Sequence, residues 1–349
     1  MANFSLSPQS KQRWLRFKSQ KRGYYSLILI SAFIFLSLIA ELWVSNRPLA
    51  VYHEGSLHFP TYGDIIPGET FGLDYQWETN YRELEKHFEN KDDSWMIMPL
   101  VPFNPLENNF IEGEYPPYAP SMEHQHYLGT DMAGRDVLAR LIYGFRIAIF
   151  FSLFLLAVSY VVGITLGALM GFLGGRFDLV FQRIIEILSN VPILYLIMIV
   201  ASIITPNFWT LALLLAGFSW MGLTWYMRTE TYRESTREYV MAARSIGASN
   251  WRIMFHHILP NSVSILITFF PFSVVSGITA LTSLDYLGFG LPVPTPSWGE
   301  LLQQGTSNLE YQWIAGSAVA ALSLILTLVT FIGEAIREAF DPKKYSYYE

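Results

Sequence analysis

Long apolar runs without charge alternate along this chain with shorter polar segments. Residues 23–40, 147–175, 187–227, 258–284 and 311–333 hold no Asp, Glu, Lys or Arg, over 18, 29, 41, 27 and 23 positions. About 20 mainly apolar residues cross a bilayer as a helix. The third run would make roughly 60 Å of helix, too much for one span. Thr205-Pro206-Asn207 divides it, because proline lacks an N–H and turn residues flank it. The pattern predicts an all-α membrane protein with six transmembrane helices, near 24–44, 147–170, 187–204, 209–227, 262–284 and 312–333.

Basic residues orient these spans. Sixteen of the 23 Lys and Arg fall before the first span, between spans two and three, between spans four and five, or after the sixth. Six spans and this bias agree in placing both termini in the cytoplasm. The uncharged length of the first run exceeds a usual signal-peptide core and no A-x-A-like site follows it, so it is expected to stay as an anchor. The expected organisation is a basic N-terminus (1–23), a first membrane helix (24–44), a loop-rich external insert with an interfacial helix (45–146), a five-helix core (147–333) with a cytoplasmic loop at 228–261, and a tail (334–349). The insert is acidic, with 14 Asp and Glu against four Lys and Arg between residues 45 and 130. Its one periodic stretch is 78–89.

Composition sharpens this. Only 15% of residues are charged, against about 25% in soluble domains, which argues against an ordinary soluble enzyme. The absence of cysteine removes disulfides, thiolate metal sites and thiol nucleophiles.

The loop at 228–261 is the most informative segment. Ser235-Thr236-Arg237-Glu238 reads as a capping box, opening a short helix that Gly247 ends. Ser249 caps a second helix, which Leu259-Pro260 is expected to stop. That helix carries Trp251, Met254, Phe255 and Ile258 at helical spacing. Such a stripe suits either a groove on a partner or the lipid headgroups.

Met241-Ala242-Ala243-Arg244-Ser245-Ile246-Gly247, with Leu259 and Pro260 following, resembles the E-A-A-x3-G…L-P loop of ABC importer permeases. Met241 stands where that pattern has Glu, so no carboxylate role carries over. Leu128-Gly129-Thr130-Asp131, Gly134-Arg135-Asp136-Val137-Leu138 and Tyr143-Gly144-Phe145-Arg146 resemble a signature of the peptide/nickel class. So do Leu284–Gly290 with Pro292, Pro294, Pro296, Trp298-Gly299 and Leu301-Leu302, and the C-terminal segment 333–342. The insert, with His53-Glu54-Gly55-Ser56 and Phe59-Pro60, is similar to microcin C-type (Yej-type) peptide permeases. The resemblance implies a permease subunit moving peptides from periplasm to cytoplasm across a bacterial inner membrane. It implies four kinds of partner: a second homologous permease, two ATPase subunits carrying ATP-Mg, a periplasmic substrate-binding protein and membrane lipid. No nucleic acid is implied. Ala242, Ala243, Gly247, Trp251, Met254, Phe255, Leu259 and Pro260 would couple to the ATPases. Asp285, Gly288, Gly290 and Trp298 are candidates for the pathway or gate, although for Asp285 a local helix-end hydrogen bond is the plainer reading.

Other residues carry less. Arg135, Arg140 and Arg146 are expected on an interfacial helix at headgroup level. Gly163, Gly167 and Gly171 suit close helix packing, within this chain or against a second permease. Pro192 and Pro271 can bend their spans, and Trp209, Trp220, Trp225 and Trp313 suit an aromatic belt. His124, His126, His256 and His257 lack the spacing of a convincing metal set. The sequence has no G-x4-G-K-[ST] phosphate loop, so no cofactor or ATP hydrolysis is expected of this chain. The rivals are an ion-driven secondary transporter, which usually carries charges inside its spans, and a membrane enzyme, for which no catalytic constellation appears.

Overall fold

A computed structural model describes residues 8–88 and 93–340. Glu89, the last residue of the stretch 78–89, and Asp341-Pro342 with the basic Lys343 and Lys344 lie outside the described residues. The chain forms two compact units: Met1–Ser31, Ala148–Pro292 and Ser323–Glu349 make one, and Ala32–Ile147 with Val293–Leu322 the other.

Two N-terminal helices come first, α1 (Pro8–Ser19) and α2 (Lys21–Leu38). The first span is shorter than 24–44 predicts. The Trp43 indole folds back and donates to the Leu36 carbonyl at 2.9 Å, satisfying an acceptor that the helix end leaves open. The insert is not purely loop. Strands β1 (Ala50–His53) and β2 (Ser56–His58), helix α3 (Tyr81–Phe88) and strand β3 (Trp95–Ile97) build an antiparallel sheet of order β2-β1-β3 beside one helix. This adds one small sheet to a chain that is otherwise helical. Val51, Phe71, Tyr81, Leu84 and Phe88 form its core, and burial pushes the Tyr81 phenol up to about 12.

Helix α4 (Val137–Leu173) is one continuous helix of 37 residues. The separate interfacial helix expected at 137–146 does not exist. A charge ends an apolar run, but it does not end a helix, and Arg146 is simply paired with Glu41 at 2.7 Å. The region expected as the third span holds two helices, α5 (Gly175–Ser189) and α6 (Ile193–Ile203), bent by 66° at the break between them. Pro192, just before α6, cannot continue the backbone ladder of α5. α7 (Phe208–Ser235) opens with an Asn207 cap, whose side chain accepts from Trp209 and Thr210 N–H. It runs eight residues beyond Met227, because Arg228 is neutralised by Asp178 through two 2.6 Å bonds.

Short α8 (Glu238–Ser245) and α9 (Asn250–Arg252) follow. A π-helical stretch (Ile253–Ile258) leads into α10 (Leu259–Leu266), a 3-10 turn (Ile267–Phe269) and α11 (Phe270–Tyr286). Pro260 therefore does not stop a helix. The preceding wide turn bonds Leu259 N–H to Met254 O and accommodates a ring that has no N–H to give. Pro271 sits in the first turn of α11, where its missing donor is harmless. The chain closes with α12 (Trp298–Ser307) and α13 (Gln312–Phe340), the latter passing Glu334 unbroken. Among the described residues, five helices are long and apolar enough to cross a membrane, or six if the bent pair counts as one span.

The glycine repeat packs helices within this chain. A β-carbon on Gly163 would lie 3.0 Å from Trp220 O, on Gly167 2.6 Å from Thr224 O, and on Gly171 2.4 Å from Arg228 O. α4 and α7 thus touch backbone to backbone, as small residues every fourth position permit. Gly171→Val is expected to lower stability by about 1–3 kcal/mol, the usual cost of overpacking. A Cβ on Gly217 meets nothing within 4 Å, so Gly217→Ala should leave the thermal midpoint of the detergent-solubilised protein unchanged or slightly higher, since alanine is the better helix former. Equal midpoints for both variants would contradict the packing argument.

Candidate functional site

The segment from Thr236 to Leu266 is a folded unit with an inner and an outer side. The capping box at 235–238 is not made. Ser235 is the last residue of α7, its hydroxyl donates to Tyr232 O, and Arg237 precedes α8 without a side-chain cap. Gly247 ends α8 in the left-handed region at φ +83°. There Ala248 N–H reaches back to Ala243 O at 3.0 Å, the closure a glycine-ended helix uses. A Cβ on Gly247 would meet nothing within 4 Å, so backbone conformation rather than close approach requires glycine here. Ser249 accepts from Arg252 N–H, as expected of a cap.

Burial divides the candidate coupling residues. Ala243 packs with Val240, Ile253 and Ile258. Met254 is 3% exposed and packs with Ala168, Met227 and Leu266. It belongs to the chain's own core and cannot serve as the free anchor its position in the stripe suggests. Leu259 is half-buried, while Ala242 and Pro260 are exposed. The outward apolar face consists of Met241, Ile246 (85% exposed), Trp251 (63%) and Phe255 (49%). The Trp251 and Phe255 rings stack at 5.7 Å with 14° between their planes. Behind them a cleft of about 290 Å³ is closed by Ile164, Thr165, Ala168 and Leu169 of α4. An ion-paired collar of Glu230, Arg233, Glu234 and Arg237 precedes this face.

Asp285, Gly288 and Gly290 form one tight turn after α11. Leu291 N–H donates to the Asp285 carboxylate at 2.7 Å, which supports the local reading of that residue. Gly288 is left-handed, and a Cβ on Gly290 would fall 1.8 Å from Asp285 Oδ1. Trp298 is buried in the other unit. Its indole donates to Leu141 O at 2.9 Å and it packs against Gly144.

Sequence reasoning missed a buried charge cluster in that unit. Arg135 and Arg140, expected at headgroup level, are 3% and 0% exposed. Arg135 bonds Asp131 at 2.7 Å and Glu300 at 2.7 Å. Arg140 pairs with Glu300 and lies 3.3 Å from Asp131. It also donates to the carbonyls of Pro105, Pro294 and Thr295. Burial opposes the charge of Arg135, but the hydrogen bonds and charges of Asp131 and Glu300 outweigh it and hold its pKa above the ordinary value. Two cations and two anions thus join three segments far apart in sequence. Beside them His126 Nδ1 lies 2.9 Å from Asp136 and stacks on Phe103 at 4.0 Å. The Arg135 and Trp298 motifs gave a signal only as separate family signatures.

A second feature invisible in the sequence is a cavity of about 470 Å³ among α4, α6, α7 and α11. No Asp, Glu, Lys or Arg lines it. Its polar groups are Ser159, Ser219, Ser273, Ser276, Tyr160 and Tyr226, and the Ser159 hydroxyl donates to Ser219 at 2.6 Å. Scattered serines in apolar runs carry no periodic signal, and only helix packing gathers them.

Several apolar helices, an uncharged cavity between them and a folded polar loop with an outward aromatic face define a polytopic membrane protein of the transport kind. The chain belongs to the family described as the binding-protein-dependent transport system inner membrane component, whose model matches residues 163–345. It is 41% identical to the inner membrane ABC transporter permease protein YejE of Escherichia coli (strain K12), over 97% of this chain and 98% of that one. It is 40% identical to the peptidoglycan transport system permease protein YejE of Agrobacterium fabrum (strain C58), over 97% and 94%. The oligopeptide transport system permease protein OppC of Haemophilus influenzae is 32% identical over 64% of this chain and 73% of its own length. The protein is a permease subunit of an ABC transport system.

Proposed function

We propose that this subunit imports peptides or peptide-like compounds from periplasm to cytoplasm by alternating access, lining half of a path completed by a second homologous permease. The cargo class is supported by the peptide and peptidoglycan transport named for the relatives. A passage for such cargo must not trap a charged terminus, and the serine-lined cavity offers hydroxyls without fixed charge. The chain itself hydrolyses no ATP. Two ATPase subunits with ATP-Mg grip the loop at 228–261, and a periplasmic binding protein delivers cargo. Both termini lie in the cytoplasm, with 45–146 outside. Asp285, Gly288, Gly290 and Trp298 shape the outer ends of the path rather than binding cargo, since each is engaged locally. The observation that carries the coupling assignment is the exposed Trp251–Phe255 stack, which with Met241 and Ile246 makes an outward apolar face on a loop whose Val240, Ile253, Met254 and Ile258 are buried.

Single-cysteine labelling tests the orientation in this cysteine-free background. An impermeant reagent should label Tyr115→Cys in intact cells and Ser245→Cys only after permeabilisation. Labelling of Ser245→Cys in intact cells would overturn the topology and the coupling assignment with it.

A further inference from the structure

The basic N-terminal helix has no part in this transport scheme. Lys11, Arg13, Arg16 and Lys18 lie on α1, Lys21 and Arg22 open α2, and residues 1–23 contain no Asp or Glu. The apolar side of α1 is seated on the chain, with Phe17 buried against Ala335 and Ala339 of α13. Trp14 stacks on Phe17 at 5.6 Å. Beside this contact lies a cleft of about 440 Å³ lined by Trp14, Phe17, Leu27, Ile267, Ile332 and Ile336, with Arg13 and Ser10 as its polar groups. The Arg13 guanidinium sits 4.5 Å from the Phe340 ring centre. Among the described residues no carboxylate comes within ion-pair distance of it. The acids of α13 are Glu334 and Glu338. Glu338 is engaged by Gln20, and Arg337 adds a further cation.

We propose that this cleft binds one anionic phospholipid, with an acyl chain between Leu27, Ile267 and Ile332 and the phosphate on Arg13. Three observations select a lipid. The cleft lining is apolar apart from Arg13 and Ser10, as a single amphiphile requires. α1 immediately precedes a membrane-length apolar helix, so it lies at the headgroup level, and Trp14 suits that interface. The charge around it is of one dominant sign, as in segments that hold anionic lipid. The volume lies within the ordinary range for ligand sites.

The test is native mass spectrometry of the intact transporter complex, titrated with dioleoylphosphatidylglycerol or with dioleoylphosphatidylcholine. Wild type should retain the anionic lipid at least fivefold better, Arg13→Gln should bring it to the phosphatidylcholine level, and Arg13→Lys should largely restore it. Excess inorganic phosphate should not compete. Equal retention of the two lipids by wild type would overturn the proposal even if the variants failed to assemble. Undiminished retention in Arg13→Gln would also overturn it. Full competition by phosphate would mean a free-anion site, and loss of the lipid whenever the ATPase is bound would assign the surface to that protein instead.

Discussion

Glu300→Ala is expected to destabilise the protein by about 3–5 kcal/mol. Arg135 and Arg140 are buried and share Asp131 and Glu300 as their anionic partners. Removing one carboxylate leaves two guanidinium groups facing one anion, out of reach of water. An uncompensated buried charge carries a penalty of this size. The segment 293–307 should then loosen from residues 131–146, read as new protease cleavage there and as a lower thermal midpoint in detergent. Glu300→Gln keeps one acceptor oxygen but loses the charge and turns an N–H donor toward the other guanidinium, and should fall between. The double variant Arg140→Met with Glu300→Met should cost less than the sum of its parts, since it removes a pair rather than a partner. Additive losses would show that the two residues do not act together.

The double variant Trp251→Ala with Phe255→Ala should weaken ATPase attachment by about thirtyfold. Both rings are exposed and stacked, and loss of a buried interface anchor typically costs about 2 kcal/mol or more. Met254→Ala makes the contrast. Its side chain fills the chain's own core, so its truncation should reduce stability by about 2–5 kcal/mol while the outward Trp251–Phe255 face stays in place. Retention of the ATPase on the purified permease pair at moderate salt, together with thermal midpoints, separates the two effects. Undiminished retention in the aromatic double variant would assign this face to the lipid surface and remove the physical support for coupling through it.

Hydrophobic run length by itself determined the membrane class, because a bilayer imposes a minimum apolar length on any helix that crosses it. The break at Thr205-Pro206-Asn207, the turn at Gly247 and the cap at Ser249 were equally legible, since each rests on local backbone chemistry. The family was legible in the short motifs from Leu128 onward. Helix ends were not, wherever they were judged by charge. α4 runs through Arg146 and α7 through Arg228, because partners on other elements neutralise those side chains. The Ser235 capping box failed for a related reason: the helix before it did not stop where a cap would need it to. Burial was the largest gap. A helical stripe names the residues on one face, but not which of them the rest of the chain covers. Only the tertiary structure sent Met254 inward and left Trp251 and Phe255 outside. It alone turned Arg135 and Arg140 from expected headgroup anchors into the centre of a charge cluster. The reason is that their partner Glu300 lies 160 positions beyond Arg140, and no local pattern can encode an ion pair across that separation.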